Sequence, residues 1–160
     1  MINLNILNPK NFSDCYSLLE TKDLDLEYYK NLGWTFDQLK LQFLNKYNYG
    51  IGVFDKNSIL AFVFGNLINI EKKLEYEILL IYVNEKKRNL GYATKLLSSI
   101  VKNLEKKKLN KINLEVSSNN INAINLYEKL QFKKIGIRKK YYLCKNIRID
   151  GYCFEKIINE

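Results

Sequence analysis

Between Val83 and Thr94 three cations, Lys86, Lys87 and Arg88, stand ahead of Gly91 at the point where an apolar alternating stretch gives way to a helical one. Residues of these types at such a junction can bind phosphate. The first amides of a helix lack internal partners, the helix dipole is positive there, and a glycine lets a ligand approach the main chain. The same residues also suit an ordinary solvated turn with a helix cap, and the segment alone leaves both readings open. The chain has no Gly-Lys-Ser/Thr element and no Gly-x-Gly-x-x-Gly turn, so two better-known phosphate loops are excluded.

Other chemistries are removed by what is missing. There is no histidine, which eliminates Ser-His-Asp and Cys-His nucleophiles and the commonest zinc ligand. Cys15, Cys144 and Cys153 show no Cys-x-x-Cys spacing and read as reduced, small hydrophobic residues, so neither a metal nor a catalytic thiol is expected. The net charge of +9 allows an anionic cofactor, a nucleic acid, or mere abundance of lysine in a chain rich in Lys, Asn, Ile and Tyr. Cations and aromatics cluster from Lys133 to Arg148, and an acidic stretch runs from Glu20 to Glu27.

These groups need elements to position them. The 160 residues suit one domain, 1–160, and no apolar run reaches the roughly 18 residues of a membrane span, so a cytoplasmic protein is expected. Ile2, Leu4 and Ile6 alternate as a first strand; Phe12, Cys15, Tyr16 and Leu19 share a helical face; Thr35 and Gln38 have capping-box spacing ahead of a second helix. Strands are expected over 49–54, 59–68 and 74–83. The helix after Gly91 carries Ala93, Leu96, Leu97, Ile100, Val101 and Leu104, and a short strand over 112–116, a helix with Ala123, Leu126, Tyr127 and Leu130, and two strands over 133–143 and 147–158 follow. The order β-α-α-β-β-β-α-β-α-β-β implies a mixed α+β domain with one parallel β-α-β step and four helices.

That order, Arg88-x-x-Gly91-x-Ala93, and the block Leu114-Glu115-Val116 with Asn120-x-x-Ala123-x-x-Leu126-Tyr127-Glu128-x-Leu130-x-Phe132 resemble the GNAT family of acetyl-CoA-dependent N-acetyltransferases. Within it, Glu75 to Val83, Trp34-Thr35, and Tyr141-Tyr142 with Arg148 and Asp150 are similar to the RimI type, which acts on the N-terminal alanine of a small-subunit ribosomal protein. Leu80, Gln131, Gly33 and Ile149 depart from that pattern.

The resemblance implies a central, mostly antiparallel sheet of about seven strands with a splayed parallel pair. It implies acetyl-CoA as acetyl donor, with Ile81, Tyr82 and Val83 along its pantetheine arm, and Arg88, Asn89, Leu90, Gly91, Tyr92, Ala93 and Thr94 around its pyrophosphate. Asn120 reads as a helix N-cap, to which the resemblance adds a cofactor hydrogen bond. Glu115 alternates away from Ile112, Leu114 and Val116; by itself it could be a strand glutamate paired with a lysine, and the resemblance makes it the base. Tyr127 is by position a core aromatic, and the resemblance makes its phenol the proton donor to the departing thiolate. The implied acceptor is a protein N-terminus, on a ribosomal protein, with no membrane and no nucleic acid outside the ribosome. A lysine side chain, a polyamine, another small amine, or a non-catalytic binding module remain alternatives. Asp23, Asp25 and Glu27 are expected to flank the acceptor cleft and draw a cationic peptide, with the basic hairpin facing cofactor phosphates or ribosomal RNA.

Overall fold

The structure, a computed structural model, describes residues 1–159 apart from the side chains of Asp23 and Leu24. Seven strands form one sheet: β1 (Ile2–Ile6), β2 (Asn48–Asp55), β3 (Ser58–Ile70), β4 (Lys73–Val83), β5 (Leu109–Ser117), β6 (Lys133–Cys144) and β7 (Ile147–Ile157). Their spatial order is β1-β2-β3-β4-β5-β7-β6, and every neighbouring pair is antiparallel except β4 with β5. The helices are α1 (Phe12–Leu19), α2 (Asp23–Asn31), α3 (Phe36–Leu44), α4 (Tyr92–Glu105) and α5 (Ile121–Lys129).

There are therefore five α-helices among the described residues, not the four expected from the sequence. The extra one is α2, which begins in the acidic stretch Glu20 to Glu27, where no helix is expected from the sequence. Nine residues without a side-chain cap make a marginal helix in isolation, so its stability comes from packing. Leu26 and Tyr29, three apart, lie on the core that α1 and α3 share with the sheet.

Two apolar clusters cover the two sheet faces. One joins Leu96, Leu97, Ile100 and Leu104 of α4 with Ile112, Leu114 and Val116 of β5 and Tyr127 of α5. The other joins Cys15, Leu19, Leu39 and Phe43 with Phe62, Phe64, Leu80 and Tyr82. Strand β3 feeds both, Ala61 and Val63 to the first and Phe62 and Phe64 to the second, which is why it reads as a continuous apolar run.

Strand β4 does not keep one alternation. Phe64 pairs with Leu80 and Gly65 with Ile78, so Leu79 is an extra residue opposite the β3 pair, a β-bulge. Tyr76 and Ile78 pack on the α4 side, whereas Leu80 and Tyr82 pack on the α1 side. Gly65 permits this approach: a Cβ there would lie 2.0 Å from the Glu77 carbonyl oxygen.

Candidate active site

The parallel pairing of β4 and β5 runs from Leu74 with Leu109 to Ile78 with Leu114 and stops at the bulge. Beyond it β4 stays with β3 to Val83, while β5 stays with β7 to Ser117. The two strands part there. A cleft of about 700 Å³ opens at this place, lined by Ile81, Tyr82 and Val83, by the start of α4, and by Asn119, Asn120, Ala123, Leu126 and Tyr127.

The loop into α4 is built to leave amides unpaired. Asn89 (φ 61°) and Gly91 (φ 78°) are both left-handed, and Gly91 is the N-cap of α4 without any side-chain cap. The first inward bond of the helix runs from the Lys95 amide to the Gly91 carbonyl, at 3.0 Å. Among the described residues no protein acceptor meets the amides of Asn89 through Thr94. A Cβ on Gly91 would touch nothing within 4 Å, so its glycine is required by φ and the space beside it is open. Left-handed residues next to a helix start form a concave array of N–H groups, which suits an anion.

Arg88 also lines the cleft, but its charge is already engaged. Its Nη2 lies 2.6 Å from Asp25 Oδ2, its Nε donates to the Val83 carbonyl at 3.2 Å, and its guanidinium covers the Tyr82 ring at 5.6 Å. Tyr82 Oη donates to the same carboxylate oxygen at 2.9 Å. Burial first, and then this bond and the Asp25 charge, push the Tyr82 phenol up to about 12. Lys22 pairs with Glu85 at 2.7 Å, a second tie between α2 and the same loop. Asp25 thus holds the loop before α4 to α2, its carboxylate engaged by Arg88 and Tyr82 and not left free for a cationic peptide. The expectation for the Asp23 side chain lies outside the described residues, and Glu27 is exposed.

Tyr127 is 4% exposed and packs against Phe132 and Phe154. Its oxygen makes no hydrogen bond to the described residues, yet no buried polar side-chain atom lacks a partner, so that oxygen is what Tyr127 shows to the cleft. Burial, and then the Tyr28 phenol, raise its pKa, keeping the proton on at neutral pH. Asn120 caps α5 by accepting from the Ala123 amide at 3.3 Å, and it too borders the cleft.

Glu115 is the first β5 residue past the last parallel pair, on the face opposite Leu114 and Val116. It does not line the cleft. Its Oε1 receives Arg138 Nη2 at 2.8 Å, and Cys153 Sγ lies 3.9 Å from the same oxygen; the side chain is 27% exposed. The pairing anticipated for a strand glutamate is present, with an arginine in place of a lysine. Leu90 is likewise outside the cleft, turned to solvent. None of the hairpin cations lines it either, so the hairpin does not face this loop as expected.

Several cleft residues carried no signal in the sequence: Tyr28 and Tyr29 from α2, and Asn119, Asn122 and Lys129. Only recognition of α2 as a helix, through the Leu26–Tyr29 spacing, would have brought its two tyrosines forward. Cys15 is fully buried, and burial pushes its thiol up; Cys144 and Cys153 are half-buried. Among the described residues no cluster of carboxylates and thiols could hold a metal, and no helix is long and apolar enough to cross a membrane.

Residues 12–132 match the Acetyltransferase (GNAT) family, and the chain belongs to that family. An N-alpha-acetyltransferase of Saccharolobus solfataricus is 44% identical over 63 residues, 39% of this chain and 38% of that protein. A ribosomal protein bS18-alanine N-acetyltransferase of Haemophilus ducreyi is 40% identical over 52 residues, 32% of this chain and 36% of that protein. The chain thus matches little more than a third of the length of these two relatives. In structure it is similar to the Escherichia coli ribosomal-protein-S18-alanine N-acetyltransferase, with TM-score 0.84, 20% identity, and coverage of 100% of this chain and 96% of the other. It is equally similar to Arabidopsis thaliana NAA60 in complex with acetyl-CoA, with TM-score 0.84, 17% identity and full coverage of both. At these identities the two structures show the fold.

Proposed function

We propose that the protein is an acetyl-CoA-dependent N-acetyltransferase acting on the α-amine of a protein N-terminus, the alanine of a small-subunit ribosomal protein being the favoured acceptor. The observation that carries this reading is the row of unpaired amides from Asn89 to Thr94 beside the gap where β4 and β5 part, with the Tyr127 phenol in the same cleft. The relatives named for N-terminal acetylation support the acceptor class.

The residues present fit acetyl-CoA. The amides of Gly91 through Thr94 would hold the diphosphate, with Asn89 shaping the loop; Ile81, Tyr82 and Val83 would face the pantetheine arm, and Asn120 has an unused Nδ2 to offer. Bound there, acetyl-CoA supplies a thioester carbonyl open to attack by an amine.

An α-amine has an unperturbed pKa near ~8, so removing its proton at neutral pH is a modest task for a carboxylate. Glu115 takes that proton through water, because its carboxylate sits outside the cleft in contact with Arg138. Tyr127 Oη, neutral and directed into the cleft, gives a proton to the departing sulfur.

The test is mass spectrometry of a panel of peptides and small amines after incubation with acetyl-CoA. One acetyl group on the α-amine of alanine-starting ribosomal peptides is the expected result. Acetylation confined to lysine side chains or polyamines, or none at all, would overturn the assignment.

A further inference from the structure

Twelve residues from three separate segments, 44–47, 70–73 and 105–108, are all exposed and hold six lysines against two glutamates, a net +4 out of the chain's +9. The fold gathers them at one end of the sheet. The Leu67 amide donates to the Tyr47 carbonyl at 2.8 Å, Lys107 Nζ lies 5.7 Å from the centre of the Tyr49 ring, and Leu74 pairs with Leu109, next to Lys73 and Lys108. Among the described residues none of the six lysines is in an ion pair. Three large apolar side chains accompany them: Leu44 is 62% exposed, Tyr47 50% and Ile70 48%.

This end also projects. The pairing of β2 with β3 begins at Asn48 with Asn66, so the β3–β4 hairpin runs on for Leu67 to Ile70, about 13 Å, to its tip at Glu71 and Lys72. Both tip residues are left-handed (φ 47° and 69°), as a two-residue turn between twisted strands requires. Lysines after a helix are favoured by its dipole, which accounts for those following α4, whereas Lys46, Lys72 and Lys73 lie in or beside strand turns. Single exposed apolar residues are ordinary as well. Here three of them share a projecting end with unneutralised cations. The partner whose chemistry meets both at once is a lipid surface: lysines attract anionic headgroups, while aliphatic side chains and a tyrosine enter the headgroup boundary.

Nucleic acid fits less well. Its bases would need open rings, yet Lys46 Nζ covers the Tyr47 ring at 4.9 Å, and Leu44 and Ile70 would have no counterpart. Helix α4 has its first turn at the cleft and its last at this end, 14 residues or about 21 Å away. We propose that this end, formed by the α3–β2 turn, the β3–β4 tip and the α4–β5 turn, binds the surface of an anionic lipid bilayer and leaves the cleft turned away from the lipid. The binding is peripheral, with the three apolar side chains at the headgroup boundary and the lysines over the headgroups.

The experiment is co-sedimentation of the full chain with vesicles of phosphatidylcholine alone and of phosphatidylcholine with about 30% phosphatidylglycerol. Binding to the anionic vesicles should be about tenfold tighter or more, and the difference should shrink as salt rises from ~0.05 to ~0.5 M. Lys73→Glu with Lys106→Glu should abolish the preference, and the milder Lys73→Gln with Lys106→Gln should cut it about threefold. Leu44→Ser with Ile70→Ser should weaken binding several-fold without changing its salt dependence, thermal unfolding checking that each variant is folded. Lys139→Glu with Lys145→Glu, which reverses two equally exposed cations on the β6–β7 hairpin, should leave binding within about twofold. Equal binding to both vesicles would overturn the proposal, as would an equal loss in the hairpin variant, or tighter binding of a single-stranded oligonucleotide than of the anionic vesicles. Acetyl-CoA is absent from the assay, so failure of acetyl transfer and failure of docking are read separately.

Discussion

Arg88 and Asp25, 63 residues apart, are joined by a 2.6 Å ion pair that fastens the loop before α4 to helix α2. One carboxylate also takes the Tyr82 phenol, so a residue of α2 orients two residues that line the cleft. The pair is partly exposed, Arg88 at 40% and Asp25 at 20%, which limits its contribution to stability.

Asp25→Asn should therefore act mainly on geometry. Losing the charge costs about 1 kcal/mol, and KM for acetyl-CoA should rise about fivefold as Arg88 and Tyr82 lose their common anchor. Steady-state kinetics with Asp25→Asn, Arg88→Gln and the double variant check this, the double falling well short of the sum if the two act as one unit.

Gly65 and Gly91 should respond differently to alanine. At Gly65 the new Cβ meets backbone at 2.0 Å, so the bulge must move and the loss should exceed about 3 kcal/mol. At Gly91 there is space, and only the left-handed backbone is penalised, by about 1–2 kcal/mol. Urea unfolding of the two variants measures the contrast.

Tyr127→Phe should leave the fold intact, because among the described residues the phenol oxygen has no protein partner to lose. If it is the proton donor, kcat falls on the order of 100-fold with KM for acetyl-CoA unchanged. Unchanged kcat would assign protonation to water.

Glu115→Gln should lower kcat at least as far without altering acetyl-CoA affinity, since Glu115 lies outside the cleft. Calorimetric titration with coenzyme beside single-turnover kinetics separates the two quantities. A matching loss of coenzyme affinity would make Glu115 a scaffold residue.

Alkaline pH should destabilise the protein early. Six of its twelve tyrosines, Tyr28, Tyr29, Tyr76, Tyr82, Tyr127 and Tyr142, are raised above the ordinary phenol value, burial being the first cause in each. A phenol that stays protonated when folded but ionises near ~10 when unfolded contributes stability that is present below that pH and lost as pH climbs toward the folded value, about 12 for Tyr82. Urea midpoints should fall from pH 9.5 upward, and phenolate absorbance should show half the tyrosines titrating late.

What local sequence specifies here is what depends on neighbours along the chain. The strand alternations, the α4 stripe, the Asn120 cap and the glycine-led helix start all follow from residues within a few positions of one another, and they were legible at once. So was the family, because its two motif blocks are local as well. Helix α2 was not legible, since a short acidic segment becomes helical only when Leu26 and Tyr29 find the core and Lys22 finds Glu85. Nor was the bulge at Leu79, which reverses the inward face of β4 by one residue and is permitted by Gly65 on another strand. Tertiary structure alone decided that Arg88 would spend its charge on Asp25 and Glu115 on Arg138, because the attraction between charges depends on their distance in space, and sequence separations of 63 and 23 say nothing about that distance.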